Sequence, residues 1–452
     1  MRHEGKAMSD IHGEHRKFHG WACAIALCGV VITAAAEVSE ADFDYSFYPY
    51  KQDGFPQVGG IEVGGTINQA NVELVKDYID PGNYELIKRG WWEMKVGAPF
   101  DHLLHPKYIE ASKKNTAVGL EGGNLTNFVS GRPFPYKPDA ADPLAGEKLI
   151  WNFEHGRSWG DFGCLQPWYW EYKDMKTEKI ERTIKYDRMC LARLGNRAVD
   201  DPKPDLDANP AQLYRGIYLR VEAPFDLKDT QLLIHKYKDD TKQMDGWIYL
   251  GFQRRVRRFS TAQMTDAFLG SDIMVEDFEG YEGQVVDYTW EYKGEKIIMA
   301  PFWDHNEAVA GYESRFPGPN GYKYVGYTGK GECFTNAPWS LRKVYVVEGK
   351  PKDANHPISK REMFIDAQVN EIPLSLIYDR KGDWWKMFTI GHQKTDNIDP
   401  ANAQTLPVVH DAAVLVDVQA EHCTTLYFHG VVKPDVDKKQ IFTVQQLRSG
   451  GT

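Results

Sequence analysis

The chain has 452 residues, 42% of them hydrophobic, which supports a sizeable buried core and excludes wholesale disorder. Its 54 basic and 64 acidic residues give a formal net charge of -10 without a long basic block, which argues against nucleic acid as a partner. Aromatic residues reach 13% (13 Trp, 24 Tyr, 21 Phe), and such rings favour strands and line apolar cavities.

Residues 21–36 read WACAIALCGVVITAAA, preceded by Arg16, Lys17 and His19 and closed by Ala34, Ala35 and Ala36. A basic n-region, a short h-region and an A-x-A site describe a secretory signal peptide, and the stretch is short for a membrane span of roughly 20 residues. Cleavage is expected after Ala36, with Met1 or Met8 as the start, and the mature chain is expected to be exported to an oxidising compartment. Leu27 ahead of Cys28 speaks against lipoprotein processing. In an oxidising compartment Cys164, Cys190, Cys333 and Cys423 can pair in three ways. Cys164–Cys190 closes the shortest loop, but spacing alone does not choose. None sits in a CxxC, which argues against a zinc or thioredoxin-type site.

Residues 37–60 are aromatic and Gly-rich without period and read as an extended N-terminal arm. Thr66 is a candidate N-cap for a helix carrying Ile67, Ala70, Leu74, Val75 and Tyr78, ended by Pro81 and Gly82. A second helix (NYELIKRG) stops at Gly90, and residues 104–117 suit a third. The Gly- and Pro-rich stretch 120–146 reads as a long loop, and 199–211 as a polar insertion. From residue 148 onward the period becomes two. KLIWNFEHG and ten later segments, from QPWYWEYKDM to AEHCTTLYFHGVV, read as strands of an antiparallel meander. Residues 247–258 read as one alternating strand. Trp247, Tyr249, Gly251, Gln253, Arg255 and Arg257 then share one face, and Ile248, Leu250, Phe252, Arg254, Val256 and Arg258 the other.

No nucleophile elbow, HExxH, Walker loop or dinucleotide fingerprint is present, so no catalytic residues, metal site or cofactor are assigned. His102 and His105 would share a face on a helix, either as a metal pair or as ordinary surface or cap residues. His305 follows a strand beside Asp304 and Asn306, and it heads the alternative reading of an enzyme acting on envelope lipid or glycan. His422 and Cys423 alternate faces and do not chelate one ion. Arg254, Arg255, Arg257 and Arg258 require partners. Either Asp272, Glu276, Asp277 and Glu279 neutralise them, or some hold the anionic head of a ligand. The paired rings Trp91–Trp92, Trp168–Tyr169–Trp170 and Trp384–Trp385 serve the core, a groove for a hydrophobic ligand, or a sugar platform of exposed Trp.

Six segments resemble the family known as domain of unknown function 1329, secreted proteins of Gram-negative bacteria: NYELIKRGWWEM, LTNFVSGRPFP, DPLAGEKLIWNFEHGRSWGD, WIYLGFQRRVRRFS, GSDIMVEDFEGYEG and HPISKREMFIDAQ…IYDRKGDWWKMF. The strand with its arginines followed by GSD…ED is also similar to the outer-membrane lipoprotein-sorting superfamily. The resemblance implies an α+β, β-dominated fold: a large curved antiparallel sheet, open as a half-barrel, with a few helices over its concave face. The expected organisation is a signal peptide over 1–36, the arm over 37–60, the sheet domain over 61–430 and a tail over 431–452. The implied function is a non-enzymatic periplasmic carrier or chaperone for a lipid or other hydrophobic molecule. An efflux-type inner-membrane transporter and an outer-membrane channel are the implied partners. A structural accessory held by the N-terminal arm is a further alternative. Trp247, Tyr249, Phe252, Arg254, Arg255, Arg257 and Arg258 are the expected ligand-binding residues, at the mouth or wall of the cavity.

Overall fold

The computed structural model describes residues 39–156, 159–259, 264–304, 315–394, 405–432 and 436–449. The expected signal peptide over residues 1–36, His305 and Asn306 lie outside them. Fifteen strands form one antiparallel sheet. In chain order they are β1 (Phe162–Leu165), β2 (Trp168–Asp174), β3 (Lys179–Arg193), β4 (Leu213–Ala223), β5 (Gln231–Tyr237), β6 (Asp245–Leu250), β7 (Arg255–Phe259) and β8 (Tyr288–Ala300). There follow β9 (Ser340–Pro351), β10 (Ile358–Asp366), β11 (Leu374–Asp379), β12 (Trp384–Gln393), β13 (Val409–Asp417), β14 (His422–Tyr427) and β15 (Gly430–Val432).

Strands β2 to β7 run in sequence from the middle of the sheet to one edge. The chain then crosses to the opposite edge and returns from β8 to β14. β14 pairs with β2, Leu426 opposite Trp170, so the two meanders join at mid-sheet. β7 and β8 are the two edges of this order, and the sheet is not closed into a barrel. The expected β-dominated, open antiparallel sheet with few helices is the fold observed.

Alternation sends successive side chains to opposite faces, and both faces are covered. On one face α4 (Ala145–Glu154) packs Leu149, Ile150 and Phe153 against Tyr345, Val347, Met363 and Ile365 of β9 and β10. Its approach is close. A Cβ on Gly146 would stand 2.7 Å from the backbone of Trp290, so only glycine allows this spacing. The same face carries Trp168, Trp170, Phe388, Leu415 and Leu426. On the other face α2 (Pro81–Lys88) and the chain before it meet Val344, Val346, Leu376, Met387, Val414 and Val416. Towards the β3–β6 side that face is covered by α5 (Val444–Ser449), whose Leu447 joins Tyr218, Leu233 and Tyr249. Two disulfides form. Cys164–Cys190 links directly opposed residues of β1 and β3, and Cys333–Cys423 ties a loop to β14.

Several local readings are corrected. Residues 40–47 of the supposedly extended arm form helix α1, with Ser39 as its N-cap. The helix expected from Thr66 is replaced by a two-residue strand and two 3-10 turns, Val72–Leu74 and Lys76–Tyr78. The side chains of Asn68 and Asn71 take backbone N–H groups (Asn68 N to Asn71 Oδ1 2.8 Å, Ala70 N to Asn68 Oδ1 3.0 Å) that a helix would need. Leu74 is left 81% exposed while Val72 and Val75 are buried. KLIWNFEHG is not a strand but most of α4. The helix is buried on nearly every side, so its apolar run matches both periods. The helix α3 (Pro106–Lys113) is shorter than expected, and residues 119–126 contribute a small ribbon to the long loop.

Candidate functional site

After β7 the chain must travel from one edge of the sheet to the other, and residues 264–287 make that crossing over the aromatic face. They hold only short 3-10 turns, Phe268–Gly270, Val275–Gly280 and Val285–Asp287. Leu269 and Glu279 sit at positive φ (53° and 57°), which breaks any regular helix. Without a helical ladder, the crossing segment is held by its side chains. Phe268, Ile273, Val275 and Phe278 pack into the cluster formed by Trp168, Trp170 and Tyr186. Phe278 stands edge-on to Trp170, with ring centroids 6.3 Å apart.

Polar contacts pin the segment to the sheet at four places. Asp272 accepts from Thr424 Oγ1 (2.7 Å) and pairs with His422 Nδ1 (2.8 Å) on β14, while Lys386 donates to its carbonyl (2.6 Å). Glu276 and Asp277 share the fully buried guanidinium of Arg361 on β10, whose Nη1 lies 2.7 Å from Asp277 Oδ1. Asp277 also accepts from Met274 N (2.9 Å), closing the turn on itself. Glu279 accepts from the Trp159 indole (2.6 Å) and lies 3.6 Å from His410 Nδ1. Glu282 pairs with Arg215 (3.1 Å) and lies 3.7 Å from Lys236, which also pairs with Glu154 of α4. Buried charges of this kind are tolerated only when paired.

Between segment and sheet lies a small apolar cavity, bounded by Trp168, Trp170, Ile273, Phe278, Phe388 and Phe428, with Glu279 and His410 as its polar members. It offers about 20 Å³, room for roughly one water molecule. The aromatic face is therefore filled by packed rings while the segment is down. A wider groove of about 1170 Å³ runs along residues 53–63 against Ile297, Leu341 and Lys343, with Asp53 and Glu62 on its border.

The expected ligand residues lie elsewhere. Residues 245–259 are not one strand but the hairpin β6–β7, with a turn at 251–254. The turn places Arg254 at φ 51° and reverses the face assignment beyond it. Trp247 stands opposite Arg258 and Tyr249 opposite Val256. Trp247, Tyr249 and Val256 pack beside Leu233 and α5, on the face away from the crossing segment. Arg257 and Arg255 stand opposite Ile248 and Leu250, on the same face as that segment. Phe252 is 71% exposed at the turn. Arg258 pairs with Asp245, whereas Arg254, Arg255 and Arg257 are exposed and make no ion pair among the described residues. The acidic stretch does not neutralise this hairpin. Asp272, Glu276, Asp277 and Glu279 serve as pins of the crossing segment instead. Sequence reasoning missed Arg361 and His410, which lie on separate strands with no spacing signal to join them to residues 272–279.

His102 and His105 do not form a metal pair. His105 caps α3, accepting from Lys107 N (3.1 Å), and His102 is buried with Nε2 3.1 Å from the Gln393 carbonyl. Burial lowers the His102 pKa to about 4 and depresses His392 and His410 as well. His422 moves the other way. Its hydrogen bond to Asp272, with help from Glu181, outweighs partial desolvation and raises its pKa to about 9. A raised folded-state value means that the protonated ring stabilises fully below the unfolded value of 6.5 and that this contribution is lost as pH rises through about 9. The stability difference between wild type and His422→Gln is therefore expected to be flat below about pH 6.5 and to shrink towards pH 9. Urea titrations across that window check it, and an unchanging difference would rule out the pairing.

The family model described as Protein of unknown function (DUF1329) matches residues 66–448, and the chain belongs to this family. No curated protein matches the chain. Among solved structures the chain is similar to a domain named for outer-membrane lipoprotein sorting from Vibrio parahaemolyticus (16% identity, 68% of this chain and 100% of that chain, TM-score 0.45). It is also similar to a DUF1329 family protein from Desulfovibrio piger (15% identity, 68% and 100%, TM-score 0.45). A LolA superfamily protein from Nitrosomonas europaea shares 12% identity over 66% of this chain and 98% of that chain, with a TM-score of 0.37.

Proposed function

We propose that this member of the DUF1329 family is a non-enzymatic carrier of the cell envelope that takes up a lipid or other hydrophobic molecule between the aromatic sheet face and the crossing segment 264–287. The observation that carries the reading is the construction of that segment. It covers a broad aromatic face, has no helical ladder of its own, and is fastened by polar side-chain contacts to the sheet. Lifting it would expose Trp168, Trp170, Phe388 and Phe428. An acyl chain that replaces it gains about 25 cal/mol per Å² of apolar area buried. Two disulfides suit an oxidising compartment such as the periplasm. In this proposal Arg255 and Arg257, with Arg254 and the exposed Phe252, meet an anionic head group at the sheet edge. Trp247, Tyr249 and Arg258 support the hairpin that presents them. Transporter and channel partners form no part of the proposal.

Protein purified from its own periplasm is expected to carry a lipid or terpenoid detectable by native mass spectrometry and solvent extraction. Added lipid should displace a fluorescent apolar probe, and Arg255→Ala with Arg257→Ala should weaken anionic lipids more than neutral ones. No extracted molecule together with no displacement would sink the carrier reading.

A further inference from the structure

Three donor side chains meet at one end of β12 and β13. His392 and His410 are direct cross-strand partners beside a bulge, their rings 4.8 Å apart and inclined at 81°. Glu371 comes from the turn between β10 and β11. One donor atom from each of the three lies within 4.8 Å of the others. All are buried, with His392 and Glu371 0% and His410 2% exposed. Among the described residues no hydrogen bond of ordinary geometry reaches either ring nitrogen of His392 or Nε2 of His410. Buried imidazole nitrogens are seldom left so. Neighbouring groups also confine the two rings. Glu279 stands 3.6 Å from His410 Nδ1 and leaves Nε2 for the cluster, while Phe302 stacks on His392 at 4.6 Å.

We propose that Glu371, His392 and His410 bind one zinc-class divalent cation. Two imidazoles and a carboxylate are a borderline donor set, suited to zinc and its first-row neighbours and unsuited to the oxygen-seeking calcium and magnesium. Zinc–nitrogen bonds of about 2.0–2.1 Å place tetrahedral donors about 3.4 Å apart, so binding draws the three groups together by no more than about 1.4 Å. Three protein ligands leave a fourth position for water or a ligand oxygen. The ion would fasten the β10–β11 turn to β12 and β13 beside the apolar cavity, which His410 also lines.

The test uses the full chain, stripped with a chelator, reloaded with zinc and desalted, then read by elemental mass spectrometry and zinc X-ray absorption. The expected result is about one zinc per chain with two imidazoles in its coordination shell. His392→Gln and Glu371→Gln should each retain less than about a tenth of that zinc, and Glu279→Gln should bind roughly 10–100-fold more weakly, with circular dichroism confirming that each is folded. Less than about a tenth of an equivalent in the wild type, or undiminished zinc in folded His392→Gln and Glu371→Gln, would overturn the site. A wild-type absorption spectrum without imidazole scattering would do so alone, whether or not any variant folds.

Discussion

Arg361→Met is expected to destabilise the protein by about 3–5 kcal/mol, the range for removing one partner of a buried ion pair. The side chain of Arg361 is 0% exposed and holds two carboxylates at once, Glu276 and Asp277, with Tyr288 Oη 3.3 Å from its Nε. Arg361 also keeps the Glu276 carboxyl below its usual range against strong desolvation. Methionine leaves Asp277 buried without its cation and Glu276 with only the His356 ring, whose Nε2 lies 3.4 Å away. The triple variant with Glu276→Gln and Asp277→Asn should recover much of the loss, because the uncompensated charges go with it. Chemical denaturation measures both. The loss should be local first, with residues 264–287 gaining protease sensitivity before the sheet melts. A single-variant loss below about 1 kcal/mol, or no change in cleavage of that segment, would show that Arg361 does not fasten it.

The Cys333–Cys423 bridge is expected to contribute about 4.6 kcal/mol and Cys164–Cys190 about 3.5 kcal/mol, on the chain-entropy scale for separations of 90 and 26 residues. The first ties the loop after the 3-10 turn at Lys330–Glu332 to β14, in the strand where the two meanders join. The second joins residues that β1 and β3 already hold opposite each other. Double Ser variants of each pair, compared by denaturant midpoint, should rank with the Cys333–Cys423 variant less stable by about 1 kcal/mol. The reverse order would place the stabilisation in native-state packing rather than in loop closure.

Period two was the strongest signal in the chain and led to the right architecture, even though both faces of the sheet are covered and strands such as β9 and β13 are buried along most of their length. In a helix buried on nearly every side the signal failed. α4 read as a strand since Leu149, Ile150, Trp151 and Phe153 are all buried. The 247–258 run failed for another reason. Its turn contains no Asn-Gly or Asp-Gly pair, and Arg254 takes the positive φ that such a pair would announce. The acidic stretch 272–279 stood out in the sequence as a group that needs cations. Its partners, Arg361, His422 and the Trp159 indole, lie 84 or more residues away, and only the sheet order brings them together. The same holds for Glu371, His392 and His410, whose donor cluster exists only through strand register.

In the carrier proposal a hydrophobic ligand sits on the aromatic sheet face beneath the crossing segment. A fatty acid bearing a mid-chain diazirine, irradiated with the full chain and mapped by peptide mass spectrometry, tests it directly. Adducts are expected on Trp168, Trp170, Leu426 or Phe428 of the sheet side and on Ile273 or Phe278 of the segment. Adducts confined to the β6–β7 hairpin or to the groove along residues 53–63 would contradict it.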